Sequence, residues 1–173
     1  IHNRKRGLYD HNNDNFSEIP SLNNLVFGIN TFIKPKKNQR LEISLNKINE
    51  YRFGGEMSDQ DPHLIQQAEE RTHSNWITSL DYEVNFNENL SIFTYLGAQY
   101  TERDHYTGIF PDSTNEIEDH LNNPPYGNSN TNTLNAGLQI NQKVNNFITG
   151  SNTFSLGIEQ LYDDVFDEIK AYN

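Results

Sequence analysis

The chain has 173 residues, enough for one domain with a sizeable core, yet only 34% of it is hydrophobic and its mean hydropathy is −0.84. A formal net charge of −11 argues against nucleic acid, whose phosphates call for Lys and Arg, and the lack of cysteine excludes disulfides and thiolate metal sites. Nine Tyr and ten Phe are more aromatics than disordered chains carry, so a β protein with much wet surface is expected.

In chain order, Arg4-Lys5-Arg6 is a short basic run that reads as the solvated end of a first strand. Six segments with period-two alternation follow. Leu25 to Lys34 places Leu25, Phe27, Ile29 and Ile33 on one face. Arg40 to Phe53 does so with Leu41, Ile43, Leu45, Tyr51 and Phe53, and Asn75 to Phe86 with Trp76, Leu80, Tyr82, Val84 and Phe86. Leu90 to about His105 aligns Leu90, Ile92, Leu96, Ala98 and Tyr100. Thr133 to Val144 aligns Leu134, Ala136, Leu138, Ile140 and Val144, and Thr153 to about Phe166 aligns Phe154, Leu156, Ile158 and Tyr162. The other faces are mostly polar (Glu42, Ser44 and Asn46; Ser79, Asp81 and Glu83; Gln99 and Thr101), with Phe32, Ile77, Phe93 and Tyr95 as exceptions.

The connections alternate strictly between long and short. "GLYDHNNDNFSEIPSLNN", "GGEMSDQDPHLIQQAEERTHS" and "YTGIFPDSTNEIEDHLNNPPYGNSNTN" are long, whereas "PKKNQ", "NEN" and "NNFITGSN" are short. An antiparallel up-and-down meander then puts every long loop at one end and every short turn at the other, which is the layout of an outer-membrane barrel. Segments of about 10–15 residues can cross a bilayer at a tilt, where about 9–11 are needed. Trp76, Phe86, Tyr100, Tyr51 and Phe53, toward strand ends, suit interfacial girdles. The expected fold is therefore all-β, a meander forming part of a transmembrane barrel. Six or seven strands are too few for a closed single-chain barrel, so further strands are expected from outside this stretch. Both ends read as cuts through a longer protein, without signal peptide. The competing reading is a soluble sandwich or calycin-like barrel that binds a ligand, and a passive porin or adhesin barrel is a third.

The phrases "YDHNNDNFSEIPSL", "LNKINEYRFGGEM", "PHLIQQAEERTH", "AQYTERDHYTGI", "PPYGNSNTNTL" and "YDDVFDEIKAYN" run along almost the whole chain. They resemble the barrel of TonB-dependent outer-membrane receptors, most of all the Bacteroidetes members related to siderophore and cobalamin receptors. The resemblance implies a middle segment of a large barrel, residues 1–173, lacking the plug domain and the box on which the periplasmic TonB energy-coupling protein pulls. It implies a bacterial outer-membrane location, surrounding lipid, a small-molecule nutrient as ligand, and active uptake.

Candidate site residues lie in the loops and on the polar faces. Asp10, Asn12 and Asp14 alternate like the start of a calcium loop, but Asn15 and Ser21 stand where Gly and Glu are needed, so an Asx-rich turn competes with a weak calcium site. No other cofactor is expected. Asp61-Pro62 reads as the start of a short helix from Pro62 to about Arg71, either a lid over the barrel mouth or a helix packed on its own loop. His63, His73, His105 and His120 fall in or near long loops without metal-ligand spacing. Glu50, Arg52 and Arg103 are expected to face the lumen, as ligand or plug contacts or as a polar wall network. Tyr106, Phe110 and Tyr126 are aromatic loop tips that could stack on a bulky ligand or pack their own loop. Acidic loops (Asp59, Asp61, Glu69 and Glu70; Asp112, Glu116, Glu118 and Asp119) disfavour a strongly anionic ligand. No nucleophile elbow, phosphate loop or zinc-protease helix marks the chain as an enzyme.

Overall fold

The computed structural model of the chain describes residues 1–147 and 150–169. The expected all-β meander is the observed fold. Seven antiparallel strands lie side by side in chain order: β1 (His2–Arg6), β2 (Ser21–Ile33), β3 (Gln39–Gly55), β4 (Gln67–Asn85), β5 (Leu90–Ile109), β6 (Tyr126–Asn145) and β7 (Ser151–Ile169). Among the described residues the sheet is open, with β1 and β7 at its edges. Long connections 7–20, 56–66 and 110–125 gather at one end, and the short turns after β2, β4 and β6 at the other. Ile148 and Thr149, within the turn read from "NNFITGSN", lie outside the described residues, as do residues 170–173.

Asn builds much of the short-turn end, for two reasons. It tolerates positive φ, as Asn146 does at 60°, and its amide closes local turns. Asn87 Oδ1 accepts from the backbone N–H groups of Asn89 and Leu90 at 2.8 and 2.9 Å, and Asn38 Nδ2 donates to the Asn85 carbonyl at 2.7 Å.

The strands are longer than the alternation implied. β4 and β5 have 19 and 20 residues, against a typical strand of about 5–6. The helix expected from Pro62 to Arg71 is not formed. A 3-10 turn occupies Pro62–Leu64 only, and the chain enters β4 at Gln67. Sheet pairing decides this. β3 runs to Gly55, so its outer backbone groups need partners, and Ala68 to Thr72 supply them opposite Gly55 to Tyr51. A helix α1 (Thr114–Asn122) forms in the third long loop instead. Its N-cap Ser113 accepts from the Glu116 backbone N–H at 3.4 Å, and Ser113 to Glu116 has the S-x-x-E form of a capping box.

Unbroken register sorts the side chains into two faces. Ile29, Leu45, Thr78, Ala98 and Leu134 share one row, and Ile43, Leu80, Leu96 and Ala136 the next. Trp76 and Tyr100 stand directly opposite each other on the row that ends this apolar band toward the long loops. The exposure pattern is the reverse of a packed soluble sheet. Apolar Ile43, Leu80, Leu96 and Leu134 are 37%, 39%, 51% and 48% exposed, while polar-face Ser44, Ser79 and Asn135 are half-buried. The greater cover of the polar side means that the sheet curls toward it.

The buried apolar cluster is small: Phe53, Ile65, Ala68 and Tyr106, with Leu8 and Tyr126 packed against it. It lies at the long-loop end, on the same side of the sheet as the apolar band, because Phe53, Glu70, Tyr106 and Tyr126 occupy one row. Its function is local: it fixes the loops 56–66 and 110–125 to the strand ends.

Candidate functional site

The candidate site is the polar face of the outer extension, the part of the strands between the Trp76–Tyr100 row and the long loops. Two neighbouring rows carry it. One is Arg4, Asn24, Glu50, His73, Arg103, Ser129 and Asp167; the next is Arg6, Leu22, Arg52, Arg71, His105 and Gly127. The first long loop is tied across the tips of β3. Ser17 N–H donates to the Gly55 carbonyl at 2.9 Å and Ser17 Oγ accepts from Gly55 N–H at 3.0 Å. Between this loop and the sheet lies a cavity of about 850 Å³, lined by Phe16, Pro20, Arg52, Arg71, His73 and Thr107 among others.

Glu50 and Arg52 come together as the spacing implied, with Arg52 Nε 2.8 Å from Glu50 Oε1. Asn24 Nδ2 also donates to Glu50, at 2.8 Å. Partial burial works to raise the Glu50 pKa, but the Asn24 and Arg52 hydrogen bonds outweigh it and hold the carboxylate below its usual range. Arg103 Nη2 donates to Ser129 Oγ at 2.8 Å and lies 3.8 Å from Asp167, whose carboxylate also accepts from Ser129. His73 is pushed below its ordinary value by burial, reinforced by Arg103, Arg71 and Arg52 against the pull of Glu50. It is therefore a neutral imidazole near pH 7.

Three expected ligand contacts are engaged elsewhere. Tyr106 is fully buried in the apolar cluster, so its ring is not presented to a ligand. Phe110 stacks edge-on against His120 with centroids 5.4 Å apart. Tyr126 Oη is 3.0 Å from His63 Nδ1, and its ring lies 5.0 Å from that of Tyr106. All three pack the loops. Burial also raises the Tyr126 pKa, with Glu70 and Asp61 adding to the effect.

Asp10, Asn12 and Asp14 form an Asx-rich turn. Both Asp10 oxygens accept backbone N–H groups, from Asn13 at 2.7 Å and Asn15 at 2.9 Å. Asp14 Oδ1 accepts from Phe16 N–H at 2.9 Å. Asn13 and Asn15 take positive φ of 62° and 71°, conformations that Asn tolerates. Among the described residues no group of three or more His, Asp or Glu side chains could hold a metal. The four histidines divide between the faces: His63 and His120 pack with the loop cluster, while His73 and His105 stand on the polar rows.

Arg71 and its neighbours at the site were missed because residues up to Ser74 were read as loop. Every residue from Glu69 to Asn75 is polar, so no alternation marked this part of β4; the signal that could have found it is the need of the outer residues of β3 for backbone partners. Neither the family models, the curated proteins nor the solved structures compared with this chain gave a match.

Proposed function

We propose that the chain is a wall segment of an outer-membrane β-barrel of the TonB-dependent receptor type, serving active uptake of a scarce nutrient such as an iron–siderophore or cobalamin. The reversed exposure carries the barrel part of this reading. A continuous band of Leu, Ile and Phe points outward while the polar side chains are sheltered on the curled-in face. Such a band is stable against acyl chains and unstable against water. From Val84 to Trp76 it measures about 26 Å along the strand, or about 20 Å upright at a barrel's usual tilt. Phe86 extends it further. Trp76, Tyr100 and Tyr162 then form the outer aromatic collar. The resemblance in the strand-end and loop phrases carries the receptor part. In this reading the partners are the nutrient, the surrounding lipid, the receptor's own plug and, through it, the energy-coupling protein.

The test uses single cysteines at Ile43 and Ser44 in the full-length protein, in its native membrane, labelled by a membrane-confined probe. Strong labelling at Ile43 and little at Ser44 is expected. Absence of lipid access at both positions overturns the reading in favour of a soluble β domain whose apolar face meets protein.

A further inference from the structure

All six arginines of the chain stand on the polar face, and none on the apolar one. Five of them, Arg4, Arg6, Arg52, Arg71 and Arg103, occupy just two adjacent rows at the long-loop end. The carboxylates close to them are fewer: Glu50 and Asp167 on these rows and Glu69 one step beyond. A chain of net charge −11 has thus concentrated positive charge in one place. The acidic third loop does not oppose it, because α1 packs through His120 on Tyr106, on the other side of the sheet.

Arg52 and Arg71 are direct cross-strand partners on one face. Like charges in that position repel, so the arrangement costs stability unless an anion lies between them. Each guanidinium is held from one side by the carboxylate two residues away on its own strand, Arg52 by Glu50 at 2.8 Å and Arg71 by Glu69 at 2.6 Å. About half of each side chain remains exposed, at 56% and 51%, beside the cavity of about 850 Å³. Three buried nitrogens on the same rows, Arg103 Nε, His73 Nε2 and His105 Nδ1, have no hydrogen-bond partner among the described residues. Of these residues His73 lines the cavity, and Arg103, its direct cross-strand neighbour, has in Nε a group that can only donate, so a buried donor beside His73 is left without an acceptor.

We propose that this arginine pair and its neighbours bind an oxyanion, a carboxylate or phosphate carried by the small-molecule ligand. Guanidinium forks match the two oxygens of such a group, and a partly enclosed cavity strengthens the charge-assisted bonds. The identification rests on the barrel reading only in taking the polar face as the lumen. The repulsion expected from the acidic loops is reduced because the third loop is held on the other side of the sheet and Glu69, which shares the arginine face, is already paired with Arg71.

The test is equilibrium dialysis of the full-length protein in detergent against radiolabelled citrate and, separately, inorganic phosphate. Binding that weakens at least tenfold with Arg52→Gln/Arg71→Gln, weakens less with Arg52→Lys, and is unchanged with Arg40→Gln supports the site. Arg40 is a fair control because it lies on the same face at the short-turn end, beside Glu83. No binding of either anion by the wild-type protein overturns the proposal and assigns the arginines to carboxylates of the protein itself. Unchanged binding in the double variant overturns it as well. If the double variant does not fold, the Arg52→Lys comparison and the wild-type measurement decide. Lipid labelling at Ile43 is read separately, so loss of the barrel reading and loss of the anion site give different results.

Discussion

Gly55 is the residue on which the outer end of β3 turns. Its φ is 129°, a region costly to any side chain, and a Cβ there would meet the backbone of Gln67 and Ala68. Both of its backbone groups bond to Ser17, so a shift at Gly55 also releases the first loop from the cavity. Gly55→Ala should destabilise the fold by about 1–3 kcal/mol and accelerate proteolysis within residues 7–20. Limited digestion and denaturant unfolding check both outcomes. His73 gives the outer extension a pH dependence of known sign. Its folded pKa lies below its unfolded one near 6.5, so the unfolded chain takes the proton first. Its contribution to stability is therefore complete above that value and is lost as pH falls from there toward the folded pKa. In His73→Asn, unfolding measured across this window should depend less on pH. A slope equal to that of the wild type would mean that His73 titrates alike in both states.

Among the elements, the inner halves of the strands were legible and the outer halves were not. Alternation at Leu41, Ile43 and Leu45 is unambiguous because every second position needs a side chain fit for one surface. Beyond Trp76 the apolar signal fades: Ser74, Thr72 and Glu70 occupy the face where Leu80 and Thr78 stood. Hydropathy could not mark those residues as strand, but the pairing demand of β3 could have done so. The same limit hid Arg71 and His105, whose place beside Arg52 is a property of register between distant segments. Glu50 and Arg52 were readable because they belong to one strand. Helix α1 was not expected, although Ser113 and Glu116 have the spacing of a capping box, and its side of the sheet depends on His120 reaching Tyr106 and Phe110, contacts no local pattern encodes. Tyr106→Ala removes the centre of that packing, and a large aromatic in such a place is worth about 3–5 kcal/mol. Here the loss should be local. Hydrogen exchange should accelerate in 114–122 and in the Pro62–Leu64 turn, while the backbone amides of 78–82 and 94–98 keep their protection.

For the whole molecule, the sheet and its surroundings pose one joint problem. In an antiparallel sheet of seven strands β1 and β7 run in the same direction, so pairing them directly would make a parallel seam. A barrel that is antiparallel throughout therefore needs an odd number of additional strands between those two edges, in keeping with the even strand totals of bacterial barrels. The strands also exceed what a bilayer requires. A 19-residue strand is about 63 Å long at 3.3 Å per residue, so in the proposed barrel β4 would stand well clear of the lipid on its long-loop side. This divides one face of one strand into two environments. Leu80 lies at the middle of the apolar band, and Thr72 lies beyond Trp76 on the same face, about 26 Å farther along the strand. If lipid covers the band, Leu80→Arg should cost about 2–4 kcal/mol and Thr72→Arg about 0–1, since the penalty for a charge falls with distance from the bilayer midplane. Unfolding of the full-length protein from vesicles, by urea titration, measures both. Thicker bilayers should leave Leu80→Arg costly. Lipid-free detergent, whose belt adapts to a charge, should shrink the difference between the two. A protein partner covering the same band would hold its own fixed contacts, and the cost of Leu80→Arg would then follow the partner's concentration and not the lipid.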